Sequence, residues 1–347
     1  MLAAYAAKIS PDNPLDNLEV GERPKPEPGR DAVRVRLRAV SLNHHDLFTL
    51  RGIVGYPIEL PRILGCDGAG TIDAIGPDAA PDTLPVGTDV GIYPVTQCGK
   101  CPACMGSDPM QCRRFTMLSD GDLEGSLAEY VVVPARNVVR KPAALSFLET
   151  ACLGVTFLTA YRMLFVKAKL EPGQSVLVVG AGGGLASAAI ALAKAAGLVV
   201  FALSRSEEKL ESARRLGASS LILAGKDAAK KILALTSGAG VDAVMESVGE
   251  PTWGTSLRAV RQGGAVVVAG ATAGSNPPAD LSRIFWRQIA VLGSTMGTLA
   301  EYVRLLSFVE AAGIRPLIDR TYPLADAKAA FARLEAGEQI GKIVIEM

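Results

Sequence analysis

Ser175-Val176-Leu177-Val178-Val179-Gly180-Ala181-Gly182-Gly183-Gly184-Leu185-Ala186 decides the fold. Its first five residues form a continuous apolar run, the pattern of a strand covered on both faces. Four glycines within five positions then break the run, and Leu185–Ala196, made of small and apolar residues, reads as a helix. Strand, glycine-rich turn and helix in that order build a phosphate cradle. The glycines admit a close backbone approach, and the helix N-terminus offers free N–H groups with a partial positive charge. The frame is Gly180-x-x-Gly183-x-x-Ala186, with Gly182, Gly184 and Leu185 completing the turn. Alanine in the third position still permits tight helix–strand packing.

Downstream, strands and helices alternate. Leu198–Leu203 reads as a strand, and Ser206–Leu216 as a helix with a serine N-cap and glutamates in its first turn. Leu221–Leu223, Val241–Val248, Ala265–Ala269 and Val291–Gly293 continue the strand series. Such alternation implies a doubly wound parallel sheet. Helices are expected over 298–312 and 325–336, then a last strand, Lys342–Glu346. Upstream, the first 150 residues read as short strands joined by Pro- and Gly-rich turns, with Val33–Arg38 alternating apolar and basic residues and Leu127–Pro134 a further strand.

The chain has 347 residues, enough for two domains. Hydrophobic residues make up 49% and charged residues 20%, a globular balance, and the net charge of +1 gives no reason to expect nucleic acid or a membrane surface as partner. No eighteen-residue apolar run suggests a transmembrane helix, and Met1–Ile9 does not read as a secretory signal, so a cytoplasmic protein is expected.

Two further signals concern ligands. The strand after the glycine turn ends at Ser204-Arg205, with Lys209 one turn on. An NAD site usually carries an acid there to hold the ribose hydroxyls, whereas serine and arginine accept a 2′-phosphate, so the expected cofactor is NADP(H). Cys98-x-x-Cys101-x-x-Cys104-x7-Cys112 supplies four thiolates. Four protein ligands close a tetrahedral zinc site, which makes it structural; ligand count alone would also admit an iron–sulfur cluster.

Together these features resemble the medium-chain dehydrogenase/reductase superfamily, in its zinc-type alcohol dehydrogenase branch. The resemblance runs through Ser41–Leu47, Leu64–Gly70, the cysteine loop, Leu158–Tyr161, the glycine turn, Gly263–Ala271 and Gly341–Val344. It implies an α/β architecture: a GroES-like β-rich catalytic domain from residues 1–150 and 297–347, and a Rossmann doubly wound parallel sheet over 151–296. It also implies one structural zinc, a small-molecule substrate and a homodimer or homotetramer, with Val291–Gly293 extending a sheet across a two-fold axis. Cofactor contacts are implied at Thr159, Ser247, Val248, Ala269, Gly270, Ala271, Ser294, Thr295 and Lys342, besides the glycine turn, Ser204, Arg205 and Lys209.

The departures from that family matter more. Its catalytic zinc is held by a Cys, a His-Glu pair and a second Cys. Those positions carry Asn43, Cys66-Asp67 and Val155 here. The reading is therefore a retained structural zinc and a lost catalytic one, with a rearranged site of Cys66, Asp67 and a histidine as the alternative. Without a Lewis acid, reduction of a carbonyl, activated alkene or quinone is easier to support than oxidation of a plain alcohol. The resemblance extends to zinc-free quinone and enoyl reductases of the superfamily, which makes Asn43 a candidate to orient the carbonyl or the nicotinamide ribose and Tyr56 a candidate to donate a proton. His45 takes the place of the relay hydroxyl and is a second candidate donor. Asp46 would orient its neighbours, and Cys66 and Asp67 would floor the cleft. The plainer readings are a turn cap for Asn43, a buried structural partner for Asp46, an inert core thiol for Cys66 and a packed turn for Tyr56. A nucleotide-binding protein without turnover is the third functional possibility.

Overall fold

The computed structural model describes residues 1–52, 57–106 and 108–347. They form two compact units, one of Met1–Thr156 with Thr298–Ala311 and Ile318–Met347, the other of Phe157–Gly297 with Ala312–Leu317.

The second unit carries one six-stranded sheet. Its order is Ser220–Leu223, Val199–Ser204, Ser175–Val179, Val241–Glu246, Val260–Val268 and Ala290–Gly293, every pair parallel. Sequence order reverses beside Ser175–Val179, the switch point at which such sheets bind ligands. Val176, Leu177, Val178 and Val179 are all buried because helices cover both faces. The core gathers Leu177, Val179, Phe201, Val244, Trp253 and Val266. The helix predicted over 185–196 spans Gly184–Ala195. Glu207–Arg215 is helical, and the Ser206 side chain accepts the Lys209 N–H as its cap.

The first unit is β-rich. Its largest sheet runs Val138–Arg140, Asp89–Ile92, Ala69–Ile75, Ala32–Ser41, Lys342–Glu346, Ile318–Pro323, and Tyr130–Pro134 also pairs with Ala32–Ser41. Within Ala32–Ser41 the period-two pattern holds for Val33, Val35 and Leu37, but Arg34 is buried rather than wet. Its guanidinium is paired with Asp73 at 2.7 Å and Glu27 at 2.8 Å. Helices at Leu299–Ala311 and Ala327–Glu335 match the two expected near the C-terminus. The helix His44–Arg51 was not legible as an element, since its apolar residues are too few to show a periodic stripe.

One register matters for function. The tail strand Lys342–Glu346 runs antiparallel to Ala32–Ser41, with Val344 opposite Ser41, and Leu42 N–H donates to the Ile343 carbonyl at 3.0 Å. Continuing that register delivers Lys342 to Asn43.

Candidate active site and metal centre

The four cysteines converge as their spacing requires. All four Sγ atoms lie within 4.8 Å of one another. Cys101 to Cys104 is 3.5 Å and Cys98 to Cys104 is 3.8 Å. Thiolates about 2.3 Å from one zinc in a tetrahedron stand about 3.8 Å apart, so the set fits that ion. Backbone N–H groups of Lys100 and Cys101 help pull the Cys98 thiol down to about 5, toward the ionised form a metal needs.

The second cluster sits where the tail strand meets the start of helix His44–Arg51. Lys342 is buried, and its ammonium donates to Asn43 Oδ1 at 2.6 Å and to the Leu42 carbonyl at 2.7 Å, with Asp67 Oδ2 at 3.5 Å. Asn43 Nδ2 donates to Asp67 Oδ2 at 2.9 Å and to the Ser41 carbonyl at 3.2 Å, and Ser41 Oγ donates to Asp67 at 2.7 Å. Both ends of the Asn43 amide are thus committed within the protein. The Asn43 side chain thereby bridges the lysine and the aspartate. Lys342, expected at the cofactor, has its ammonium buried in this network. Burial pushes the Asp67 carboxyl above the usual carboxylate range, while Lys342 and the hydrogen bonds from Asn43 and Ser41 pull it back.

Asp46 is wholly buried and accepts the Asn43 N–H at 2.8 Å and the Gly65 N–H at 3.0 Å. It closes the helix N-terminus as a capping-box acid does, and it ties Leu64–Gly65 to that helix. Burial raises its carboxyl to about 6 against the pull of His45 and the two N–H groups. Cys66 lies beside it, with its thiol pushed well above normal by burial and by Asp46 and Asp67. One ligand atom each from His45, Asp46 and Cys66 fall within 4.8 Å of one another. Both Asp46 oxygens already accept backbone N–H groups, which engages the one carboxylate of this set.

Among the described residues, His45 has one ring nitrogen engaged and one not. Its Nε2 lies 3.1 Å from Asp120 Oδ2, while its Nδ1 is buried without a hydrogen-bond partner. Asp120 was missed in the sequence because nothing local marks it; it reaches His45 only through the fold. Tyr56 lies outside the described residues.

In the second unit the glycine turn forms as expected, with Gly180 and Gly182 at positive φ. The N–H groups of Gly180 and Ala181 donate to the Leu203 carbonyl and that of Gly183 to the Gly180 carbonyl, so the donors left at the turn are those of Gly182 and of the first helical residues, Gly184, Leu185 and Ala186. The Lys209 stem crosses Gly182, where a Cβ would meet it at 2.6 Å. Ser204 is buried and its Oγ accepts the Ser206 N–H, whereas Arg205 is exposed. Among the loops after later strands, Ser247-Val248-Gly249 is organised by Glu246, a residue the sequence reading passed over. Its buried carboxylate accepts the Val248 and Gly249 N–H groups and the hydroxyls of Thr252 and Ser256. The Ser247 and Val248 carbonyls then receive Thr272 and Ala273 N–H, which laces in Ala269-Gly270-Ala271. Ser294 Oγ is buried without a partner beside exposed Thr295, and Thr159 Oγ1 donates to Met296 Sδ at 3.7 Å.

Two family profiles match this chain: an alcohol dehydrogenase GroES-like domain over 29–143 and a zinc-binding dehydrogenase domain over 184–311. A zinc-type alcohol dehydrogenase-like protein of Schizosaccharomyces pombe is 32% identical over 91% of this chain and 90% of its own. The chain belongs to the medium-chain dehydrogenase/reductase superfamily, in its zinc-type alcohol dehydrogenase branch. An NAD-dependent alcohol dehydrogenase of known structure superposes with a TM-score of 0.93 at 36% identity over the full length of both chains. A cobalt- and zinc-bound alcohol dehydrogenase from Pyrobaculum aerophilum gives a TM-score of 0.88 at 31% identity, covering 100% of this chain and 99% of its own.

Membership makes this chain an alcohol dehydrogenase-like oxidoreductase and implies a nicotinamide cofactor, zinc and a small-molecule substrate. Against the branch's usual ligand set, Asn43, Cys66 and Val155 stand at the ligand positions and Asp67 beside them. An ammonium group, rather than a set of free donor atoms, lies between Asn43 and Asp67.

Proposed function

We propose that this chain is an NADP(H)-dependent reductase of a carbonyl, activated alkene or quinone, with one structural zinc at Cys98, Cys101, Cys104 and Cys112 and no catalytic one. The observation that carries this reading is the Lys342 ammonium, bonded to Asn43 and beside Asp67 at positions where the branch gathers its catalytic metal. A fixed cation there would repel a divalent ion and already pairs with the Asp67 carboxylate. Oxidation of an unactivated alcohol then lacks a Lewis acid, whereas a polarised acceptor needs only hydride and a proton. The bound nicotinamide supplies the hydride. His45, whose Nε2 lies 3.1 Å from Asp120 Oδ2, is the candidate proton donor. Burial opposes the charge on His45, but the hydrogen bond and charge of Asp120, with Asp46, outweigh it and raise the ring above its ordinary value.

NADP(H) rather than NAD(H) is supported by Ser204 and exposed Arg205 at the end of strand Val199–Ser204, with the Lys209 stem lying over the glycine turn. A second copy of the chain fits the outer strand Ala290–Gly293. Its free edge is flanked by exposed Phe285 and Trp286, at 68% and 78% accessibility, which supports a homodimer. All six cysteines are free, which suits a reducing cytoplasm.

Zinc content and cofactor titration on one purified sample test the reading. About one zinc per chain and tighter binding of NADPH than NADH are expected, followed by NADPH oxidation with cyclohexenone, menadione or an aldehyde. About two zincs per chain would instead favour a metal at His45, Asp46 and Cys66, whose ligand atoms lie close enough to share one, and an alcohol as substrate.

A further inference from the structure

Glu246 ends the strand Val241–Glu246 and has no exposed surface. Its Oε1 accepts the Val248 N–H at 2.8 Å and the Gly249 N–H at 3.1 Å. The Thr252 hydroxyl stands 3.0 Å from both carboxylate oxygens, and the Ser256 hydroxyl donates to Oε2. A carboxylate is costly to bury without such donors. Here they belong to the loop Ser247–Gly249 and to the helix Glu250–Ala259 that follows it, so the acid ties both to the end of its own strand.

The other side of the loop is laced as well. Ala273 N–H donates to the Val248 carbonyl at 2.8 Å and Thr272 N–H to the Ser247 carbonyl at 3.2 Å. Gly249 has φ near +97°, and a Cβ there would overlap the Gly274 carbonyl, so the two loops close on each other where glycine alone fits. The loop also borders the glycine turn. Strands Val199–Ser204 and Val241–Glu246 flank Ser175–Val179 on opposite sides, and the crevice beyond their carboxyl ends is the switch point. The half-buried Val248 side chain stands there, its Cγ2 3.0 Å from the place a Gly180 Cβ would take. Strands, turn, loops and helix all lie within the second unit.

We infer, resting on the reading of NADP(H) as the cofactor of the glycine turn, that Glu246 is a positioning residue for nucleotide binding: it holds the Ser247–Gly249 loop, and with it Val248 beside Gly180, in the receiving conformation before the nucleotide arrives. The Val248 and Gly249 N–H groups are turned onto the carboxylate beneath them. The loop therefore offers the crevice an apolar side chain, which suits the face of a ribose or base, while the N–H groups of Gly182, Gly184, Leu185 and Ala186 remain for the diphosphate. A loop already in place spares the nucleotide the cost of ordering it.

Amide hydrogen exchange on the cofactor-free protein and fluorescence titration with NADPH, run on the same variants, test this. In the wild type the Val248 and Gly249 amides should exchange slowly without cofactor, because they donate to a buried acceptor. Glu246→Ala should free them and weaken NADPH binding by about tenfold or more, with protection of the loop returning only when NADPH is bound. Glu246→Gln keeps one oxygen for the two N–H groups and presents an amide that the Thr252 and Ser256 hydroxyls can accept, so it should return both protection and affinity toward the wild type. Slow exchange in strand Ser175–Val179 should persist in every variant, which separates positioning from a general loss of the fold. Should Glu246→Ala not fold, Thr252→Val takes its place with the same expected direction, since it keeps the shape of the side chain and removes the hydroxyl shared by both oxygens. Fast exchange of the loop in the free wild type, protection retained in the variant, or unchanged NADPH affinity in a variant whose loop has lost protection overturns the inference. A wild type that binds NADH more tightly than NADPH overturns only the choice of NADP(H), and the same variants titrated with NADH then decide the role of Glu246. A wild type that binds neither nucleotide overturns both.

Discussion

Lys342 is the residue whose replacement says most. It is the counter-ion of a carboxylate with no exposed surface, and it reaches Asn43 across 299 residues of sequence. Removing one member of a buried, hydrogen-bonded charge pair typically costs about 3–5 kcal/mol, since the remaining charge has no solvent. Lys342→Met should therefore lower stability by an amount in that range in chemical denaturation at pH 7. With the ammonium gone Asp67 should take up a proton, so the loss should shrink as pH falls. A loss below about 1 kcal/mol would mean that the ammonium is not embedded as described. His45 gives a second residue-level test with the opposite partner charge. Its folded value lies above its unfolded one, so its contribution is fully present below about pH 6.5 and is lost as pH rises through the folded value. The stability gap between wild type and His45→Gln should be widest near pH 6 and close toward pH 9; a gap independent of pH would sink the ion-pair account.

At the scale of elements, the glycine turn and the cysteine loop are local devices and fail locally. Gly182 has φ near +110°, and a Cβ there would meet the Lys209 stem as closely as 2.6 Å. Gly182→Val combines a left-handed backbone cost of about 1–2 kcal/mol with displacement of Lys209. It should weaken NADPH binding in fluorescence titration by tenfold or more while the first unit keeps its zinc; unchanged affinity would remove Lys209 and the turn from the cofactor site. The helix His44–Arg51 behaves differently. It is short, its first turn is fastened by Asp46, and its position depends on the Gly65 N–H from the segment between strands Arg62–Ile63 and Ala69–Ile75.

At the scale of the molecule, the prediction concerns assembly. The six-stranded sheet ends in a strand whose outer edge has no partner among the described residues, beside Leu281, Phe285 and Trp286, all largely exposed. Replacing Phe285 and Trp286 together by aspartate should convert a dimer into monomers in light scattering, with the thermal transition of the monomer lowered and dependent on protein concentration no longer. A wild-type protein that is already monomeric would remove the outer strand as an interface.

The sequence by itself determined what is local or periodic. Continuous apolar strands alternating with helices specify a parallel sheet because both its faces must be covered, and the turn after Val179 marks its switch point. Four cysteines at 98, 101, 104 and 112 carry the spacing of a local metal-ligand set, and their Sγ atoms lie within 4.8 Å of one another. Only the tertiary structure decided what Asn43, Lys342 and Asp120 touch. Asn43 stands in a run that suggests catalysis, but the tail strand delivers an ammonium onto its carbonyl oxygen. Asp120 sits in an unmarked polar stretch, but Arg62 fixes its loop against His45. Side-chain type and spacing encode which contacts are possible within a few residues; a partner 75 or 299 positions away is chosen by sheet register and loop anchoring, which no local pattern records.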